Sequence, residues 1–172
     1  MINVYLDLDG VIFNFNKIYK QLLGEWEVAE KGQNFTKAIY EYKIFEDLPL
    51  CSNALSLYVT LTDMEKQGLI RVEILSSTGS PDKPEQQLEV IRQKRIALKK
   101  HGINFPDNYT IHKGNKKLFA TPKSILIDDH TENVNDFTKA GGYGILYVDG
   151  MDFRPIYDMV DYLKHKESIG IY

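Results

Sequence analysis

Residues 2–10 read Ile-Asn-Val-Tyr-Leu-Asp-Leu-Asp-Gly, an apolar run that ends in two acidic residues and a glycine. Ile2 to Leu6 is rich in residues that favour strands, so we predict a short buried β-strand there. Gly10 permits a sharp turn after it, because glycine adopts positive φ angles without steric cost. The stretch therefore predicts a strand that delivers Asp7 and Asp9 to its carboxyl end.

Two further apolar runs end in small or acidic polar residues. Residues 71–75 predict a buried strand that leads into Ser76-Ser77, and residues 124–127 predict another that leads into Asp128-Asp129. Helical periodicity separates the strands, which favours an α/β fold with a mainly parallel sheet covered on both faces. Helices are predicted over residues 15–26, 54–67, 84–100, 134–140 and 156–163, with Asn53 as an N-cap, and short strands over 109–111 and 144–148.

The carboxyl ends of parallel strands form the crevice where open α/β sheets bind ligands. The predicted strands bring four carboxylates and two hydroxyls to that crevice. Clustered carboxylates repel one another unless a cation or protons neutralise them. Magnesium, a hard divalent ion that prefers oxygen ligands, is the expected neutraliser.

Composition excludes several classes of protein. The chain has 172 residues, the size of one domain or of one domain with a small insert, and no internal repeat or linker-like tract. Its 21 basic and 24 acidic residues give a net charge of −3, so we expect no nucleic-acid polymer as partner. No apolar run is long enough for a membrane span, and no signal peptide is recognisable. Cys51 is the only cysteine, which excludes an internal disulfide and favours a cytoplasmic protein.

The acidic motifs resemble those of a known superfamily. Asp7-Leu8-Asp9-Gly10-Val11 resembles the first motif of the haloacid-dehalogenase-like (HAD) hydrolases, a DxDG sequence followed by an apolar residue. Ser76 is similar to the second motif, and Ile127-Asp128-Asp129 to the acidic fourth. The resemblance implies a Rossmann-like core formed by residues 1–12 and 51–172, with a small helical cap formed by residues 13–50.

The resemblance also implies roles for the acidic residues. Asp7 corresponds to the nucleophile and Asp9 to the general acid and base. Members that cleave carbon–halogen bonds lack a carboxylate at the position of Asp9, so phosphate chemistry is expected. Magnesium would lie between Asp7, the carbonyl of Asp9 and Asp128, and Asp129 would orient its water.

A phosphoryl group needs hydrogen-bond donors and a cation. Ser76 and Ser77 are expected to bind phosphoryl oxygens, together with the lysine of the third motif. Spacing to Asp128 makes Lys117 the first choice for that lysine and Lys116 the second. Lys113 and Lys123 lie in the same stretch. We expect the basic region to be a solvated surface from which one lysine turns inward; the region comprises Lys94, Arg95, Lys99, Lys100 and Lys113 to Lys117.

A narrower resemblance concerns the substrate. Several stretches are similar to the 5′(3′)-deoxyribonucleotidase family, particularly its short bacterial and phage-type members: residues 7–12, 74–79, 93–95, 126–133 and 141–145. This chain has Ser76-Ser77-Thr78 where those relatives often have Thr-Ser-Pro, and His130 where an arginine is common. The resemblance implies that a small phosphorylated substrate, a (deoxy)nucleoside monophosphate, is dephosphorylated through an aspartyl-phosphate.

Two alternatives to a nucleotidase stay open at this point. One is a phosphatase for a sugar phosphate or another small ester, and the other is a catalytically idle HAD-like domain that binds a nucleotide or a protein. The intact acidic pairs weigh against the idle domain. Aromatic residues of the predicted cap are candidates for stacking on a nucleobase: Phe13, Phe15, Trp26, Phe35, Tyr40, Tyr42 and Phe45.

Overall fold

A computed structural model describes residues 1–25, 31–79 and 82–171 of the chain. The strands are β1 (Ile2–Leu6), β2 (Ile70–Ser77), β3 (Asp107–Thr110), β4 (Ser124–Asp128) and β5 (Tyr143–Leu146). The helices are α1 (Phe15–Glu25), α2 (Lys31–Tyr40), α3 (Ala54–Lys66), α4 (Pro84–Lys100), α5 (Thr131–Lys139) and α6 (Arg154–Ser168), with a 3-10 helix at Lys113–Phe119. Within the described ranges, no helix has the length and apolar composition needed to cross a lipid bilayer.

The strands form one parallel sheet in the order β3-β2-β1-β4-β5, which confirms the predicted α/β fold. β1 lies at the centre, where Leu6 pairs with Ile74 of β2 and Ile127 of β4. Because all strands run the same way, this register brings their carboxyl ends to one edge. The residues that follow Leu6 and Ile127, Asp7 and Asp128, therefore become neighbours.

Both faces of the sheet are covered, as the near-continuous apolar strands predict. On one face, Val4, Leu6 and Ile127 are fully buried and belong to a large hydrophobic cluster. On the other face, Leu75 and Leu126 pack with Phe137 of α5 in a smaller cluster. The buried faces hold the strand ends, and with them the acidic residues, in fixed positions.

Residues 13–50, the predicted cap, contain α1 and α2. Ile39 and Phe45 belong to the same hydrophobic cluster as the central strands. The side chain of Gln93 in α4 is fully buried, donates to the carbonyl of Ile39 (2.8 Å) and accepts from the backbone nitrogen of Phe45 (3.2 Å). The segment is thus docked on α4. Its boundaries as a separate cap stay a prediction.

Several local predictions differ from the structure, among them the bounds of β3, β5, α5 and α6. Strand β2 extends through Ser77, two residues beyond the predicted end. The 3-10 helix was not predicted, because short helices with three residues per turn lack the 3.6-residue apolar period. Asn53 occupies the N-cap position of α3, but its side chain makes no cap hydrogen bond and instead donates to the carbonyl of Met151 (2.9 Å).

Candidate active site

A pocket of about 420 Å³ opens at the carboxyl ends of the strands. Its floor includes Asp7, Asp9, Lys116 and Asp129, which come from the ends of β1 and β4 and from the 3-10 helix. Aromatic side chains line another part of the pocket, and the loop after β2 lines a third. The pocket thus combines a charged floor with an apolar wall.

A buried lysine joins two of the floor carboxylates. Lys116 Nζ lies 2.8 Å from Asp7 Oδ2 and 2.7 Å from Asp128 Oδ2. Asp128 Oδ1 in turn accepts hydrogen bonds from the backbone nitrogen of His130 (2.8 Å) and from Asn133 Nδ2 (3.0 Å). Burial disfavours the charged form of Lys116, but Asp7 and Asp128 outweigh it and raise the lysine pKa above its usual value. Lys116 therefore stays charged in the protein interior.

The prediction that Lys117 is the inward lysine is wrong. Lys117 is exposed, whereas Lys116 is 1% exposed. In a 3-10 helix, residues three apart share a face, so Lys113, Lys116 and Phe119 lie on one side. Phe119 packs against the sheet and Lys113 lines the pocket, which leaves Lys117 pointing outward.

Three carboxylates offer a metal site at the floor. Asp7, Asp128 and Asp129 each provide one oxygen, and these oxygens lie within 4.8 Å of one another. With the three residues ionised, Lys116 leaves a net charge of −3 + 1 = −2, which a divalent cation would balance. Burial, and after it repulsion by Asp7 and Asp128, raises the pKa of Asp129 to about 7. The donor set fits a hard cation such as Mg²⁺.

Gly10 has no side chain to block the position that the Asp129 carboxylate occupies. Its φ of +85° is one that residues with side chains rarely adopt. A Cβ atom built on Gly10 would lie 2.0 Å from Asp129 Oδ2, far inside van der Waals contact. The glycine therefore serves two purposes, because it turns the chain after Asp9 and leaves room for the Asp129 carboxylate of the candidate metal site.

A second buried lysine holds Asp9. Lys94 Nζ lies 2.7 Å from Asp9 Oδ2 and also donates to Ser76 Oγ (3.0 Å) and to the carbonyl of Ser77 (2.8 Å). The other carboxylate oxygen, Asp9 Oδ1, is buried and has no hydrogen-bond partner within residues 1–25, 31–79 and 82–171. Burial raises the pKa of Asp9, and the attraction of Lys94 opposes that rise without cancelling it. Lys94 thus holds Asp9 through Oδ2, and the buried Oδ1 has no hydrogen-bond partner among the described residues.

Lys94 is the residue that sequence reasoning missed, since it was assigned to a solvated surface. The structure buries it completely. The signal was present in the spacing of α4, where Val90, Gln93, Lys94, Ala97 and Leu98 form the buried face. These positions follow the i, i+3, i+4, i+7, i+8 pattern of a helix that packs on a core. The missed lysine occupies an inward position of that pattern.

No protein-family model and no curated protein sequence matches the chain. Among solved structures, a hydrolase from Pseudomonas syringae matches with a TM-score of 0.54 and 13% identity, over 98% of this chain and 99% of that one. A HAD family enzyme from Bacteroides thetaiotaomicron, solved with magnesium and inorganic phosphate, matches with a TM-score of 0.51 and 13% identity, over 91% and 99%. The chain has the fold of the HAD-like hydrolases. A hydrolase from Streptococcus pneumoniae TIGR4 matches with a TM-score of 0.52 and 14% identity, over 91% and 97%.

The two serines of this HAD-like fold have different surroundings. Ser76 is fully buried, and its hydroxyl accepts the hydrogen bond from Lys94. Ser77 lines the pocket, where its hydroxyl accepts from the backbone nitrogen of Gly79 (3.2 Å). The structure therefore brings Ser77 to the pocket surface and places Ser76 behind it as a support for Lys94.

The aromatic candidates separate into two groups. Phe15, Phe35 and Phe45 line the pocket. Phe13 is fully buried in the core, and Tyr40 and Tyr42 are exposed and do not line the pocket, so the structure does not bring these three to the site. Trp26 lies outside the described residues.

Phe35 has different ring contacts from the two other wall residues. The Phe15 ring stacks on Tyr19 and on Phe45, with centroids 5.3 and 5.1 Å apart. Lys94 Nζ lies 4.9 Å from the centroid of the Phe45 ring. Phe35 meets Tyr19 and Phe45 edge to face, with interplanar angles of 81° and 82°. Phe35 is thus the wall residue whose described ring contacts include no parallel stack.

Proposed function

We propose that this chain is a magnesium-dependent phosphomonoesterase that uses Asp7 as its nucleophile and acts on (deoxy)nucleoside monophosphates. The observation that carries the proposal is the position of Asp7. It lies at the pocket floor beside the carboxylates of Asp128 and Asp129, with Lys116 Nζ 2.8 Å from its Oδ2 and with Asp9 lining the same pocket.

Magnesium would be held by Asp7, Asp128 and Asp129, with the carbonyl of Asp9 as a further oxygen ligand. When bound, it neutralises charge on the phosphoryl group and lets an anionic ester approach an anionic nucleophile. When its three carboxylates are ionised, the group of Asp7, Asp128, Asp129 and Lys116 has a net charge of −2, which supports a divalent ion. The Bacteroides enzyme of the same fold, solved with magnesium and inorganic phosphate, supports the same pairing of metal and substrate class.

In the first step, a carboxylate oxygen of Asp7 forms a bond to phosphorus while the ester P–O bond breaks. Asp9 Oδ1 donates its proton to the leaving oxygen, so that an alcohol departs. The raised pKa of Asp9 supports this role, because the group must carry a proton near neutral pH. Lys116 stabilises the negative charge of the transferring group.

In the second step, Asp9 Oδ1 takes a proton from a water molecule as the water oxygen attacks phosphorus. The bond between phosphorus and Asp7 breaks, which releases inorganic phosphate and restores the Asp7 carboxylate. Asp9 ends the cycle protonated, as it began. Lys94 keeps the other oxygen of Asp9 occupied, so one defined oxygen moves the proton in both steps.

The aromatic wall supports a nucleotide as substrate. A nucleobase presents a flat π surface, which stacks favourably on an aromatic ring. We assign the stacking contact to Phe35, since it lines the pocket and its described ring contacts are edge-on. A phosphate on the floor and a base against Phe35 would use both ends of the pocket.

The size of the pocket supports a small partner. A volume of about 420 Å³ lies in the range of small-molecule sites. We therefore infer a single nucleotide as substrate and not a polymer. The free, buried Cys51 is consistent with a reducing compartment, and we infer that the enzyme is cytoplasmic.

The test is phosphate release from 5′- and 3′-(deoxy)nucleotides and from sugar phosphates, with and without Mg²⁺. We expect magnesium-dependent release that is fastest with nucleotides, and no turnover by the Asp7→Asn variant although it folds. Full activity of Asp7→Asn would reject the mechanism. A preference for sugar phosphates would replace the nucleotide assignment, and nucleotide binding without release from any compound would indicate an idle binding domain.

A second experiment tests the base contact. The Phe35→Leu variant should lose the preference for nucleotides over sugar phosphates, which have no aromatic ring, because it removes the stacking surface and keeps an apolar side chain. Tyr40→Leu is the matched control, since Tyr40 is exposed and does not line the pocket. An unchanged preference in Phe35→Leu would remove the base contact from the proposal.

A further inference from the structure

A buried hydroxyl of the pocket has no hydrogen-bond partner among the described residues. Thr78 is 3% exposed and lines the pocket, yet its Oγ1 makes no hydrogen bond. The backbone nitrogen of Thr78 donates to the carbonyl of Thr110 (2.9 Å), which fixes the chain at this point. The main chain at Thr78 is therefore fixed, while its hydroxyl lacks a partner in the part of the chain that the structure describes.

Thr78 lies between the two ends of the pocket. On one side, the carbonyl of Ser77 accepts a hydrogen bond from Lys94, the lysine that holds Asp9. On the other side, a Cβ atom built on Gly79 would lie 3.8 Å from the ring of Phe35. The loop thus runs from the phosphate end to the aromatic wall, and Thr78 is its middle residue.

An unpartnered buried hydroxyl destabilises a folded protein, whereas valine has the same shape without that penalty. A bound molecule that supplies a hydrogen-bonding atom at this position would satisfy it.

We propose that Thr78 Oγ1 hydrogen-bonds a sugar hydroxyl of the substrate. This contact selects phosphate esters in which a hydroxylated sugar joins the phosphate to an aromatic base. This inference rests on the proposed function, and it adds a specificity contact to it. In a nucleoside monophosphate the sugar is the group between phosphate and base, which is the position that Thr78 occupies between Lys94 and Phe35.

Other buried hydroxyls without a partner, among the described residues, provide a control. Thr62 Oγ1 is one of them, but Thr62 lies on α3 and does not line the pocket. Thr62→Val and Thr78→Val thus make the same chemical change at two places. Only the change at Thr78 should alter which substrate is preferred.

The experiment compares 2′-deoxyadenosine 5′-monophosphate with its 2′,3′-dideoxy analogue, which lacks the remaining sugar hydroxyl. We expect the wild type to favour the deoxy compound by about tenfold in kcat/KM, the effect of one hydrogen bond. Thr78→Val should abolish this preference, Thr78→Ser should retain it, and Thr62→Val should leave it unchanged. Thr78→Val should also raise Tm, since it removes an unpaired buried polar group.

Binding of both compounds to the Asp7→Asn protein, measured by calorimetry with Mg²⁺, separates this inference from the proposed function. Preferential binding of the deoxy compound that Thr78→Val abolishes supports the contact, even if the wild type releases no phosphate. If the wild type turns over both compounds equally and the Asp7→Asn protein binds both equally, the Thr78 contact is overturned, whereas the proposed phosphatase function is not. An equal loss for both compounds in Thr78→Val also overturns it, because it would place the hydroxyl on the phosphate or in a structural role.

Discussion

Two regions of the molecule contain ion pairs of the same length in opposite surroundings. At the pocket floor, Lys116 lies 2.7 Å from Asp128, and the two side chains are 2% and 0% exposed. Between residues 36–47 and α4 runs a row of polar contacts, which we call the cap seam: Lys43–Glu89, Glu46–Arg92 and Asp47–Lys100. Lys100 also lies 2.7 Å from Asp47, but these side chains are 54% and 84% exposed.

The comparison shows that burial, and not the distance between the charges, decides how much an ion pair contributes to the free energy of folding. Each pair of the cap seam has at least one side chain that is 46% exposed or more, so water screens it and the free energy that it contributes is small. At the floor, the charges have lost their hydration, so each depends on its partner. The floor is therefore a fixed charge arrangement suited to chemistry, whereas the cap seam is a contact that can be broken at low cost.

The largest effect is expected for Lys116→Met. The change leaves Asp7 and Asp128 buried without their cation, which should lower the free energy of unfolding by about 3–5 kcal/mol. Urea unfolding measures this loss, and added Mg²⁺ should restore part of it by neutralising the same carboxylates. Lys117→Met is the control, and its effect should stay within about 0.5 kcal/mol because Lys117 is exposed. Equal losses in the two variants would contradict the contrast between the buried and the exposed lysine.

Lys94→Met should come next, with a loss of about 100-fold in phosphate release, because Asp9 would no longer be held for proton transfer. Steady-state kinetics on a nucleotide measure the loss. Arg95→Met is the control, because it changes the neighbouring residue of α4, whose side chain is 60% exposed. The rate of phosphate release should stay within about twofold of the wild-type rate. A normal rate in Lys94→Met would show that Asp9 keeps its orientation without the lysine.

Gly10→Ala tests how the floor holds Asp129. Both Gly10 and Gly68 have positive φ angles, +85° and +71°, so alanine at either should cost about 1–3 kcal/mol of stability. Only at Gly10 would the new Cβ collide with Asp129, since nothing lies within 4 Å of the equivalent atom at Gly68. Gly10→Ala should therefore weaken Mg²⁺ binding in calorimetry, and Gly68→Ala should not. Equal magnesium affinity in the two variants would rule out the steric account.

The smallest effect is expected in the cap seam. Hydrogen bonding to Arg92 lowers the pKa of Glu89 to about 2, from a usual value near 4.5. Because the folded-state pKa is depressed, the stabilisation is present above about pH 4.5 and is lost as pH falls toward about 2. Glu89→Gln should thus lower stability by at most about 1 kcal/mol at pH 7, since its partners Lys43 and Arg92 are half exposed and water screens their charges.

Thermal unfolding at a series of pH values checks this prediction. The difference between wild type and Glu89→Gln should shrink as the pH falls below about 4.5, and it should also shrink in high salt. Glu41→Gln is the control, because the Glu41 carboxylate lies 4.0 Å from Lys37 Nζ on the surface. A difference that grows in acid would reverse the sign and refute the role of the Glu89 carboxylate.

The sequence predicted the sheet well because each strand carries its own signal. Ile2–Leu6 and Ser124–Asp128 are apolar runs that end at acidic residues, and helix α4 was predicted with its observed bounds, Pro84–Lys100. Periodicity is a local property, so it can be read from consecutive residues. The positions of Asp7 and Asp128 at one edge then follow from the parallel topology.

The lysines were harder to assign because their orientation is not a local property. Lys116 and Lys117 are adjacent and chemically identical, and the turn of an unpredicted 3-10 helix decides which one is buried. Lys94 occupies an inward position of α4, but a charged residue there normally argues for solvent. The carboxylate of Asp9, 85 residues away along the chain, compensates the hydration that Lys94 loses on burial.

By itself, the sequence determined the α/β fold, the alternation of strands and helices, and the acidic ends of β1 and β4, because these depend on residue type and short-range order. Only the tertiary structure decided that, among the described residues, Lys116 and Lys94 are the buried cations and Thr78 has an unpaired hydroxyl. It also decided that Ser77 and not Ser76 faces the pocket. The physical reason is that a polar side chain is buried only where a partner compensates its lost hydration. Such partners come from distant parts of the chain and meet only after folding.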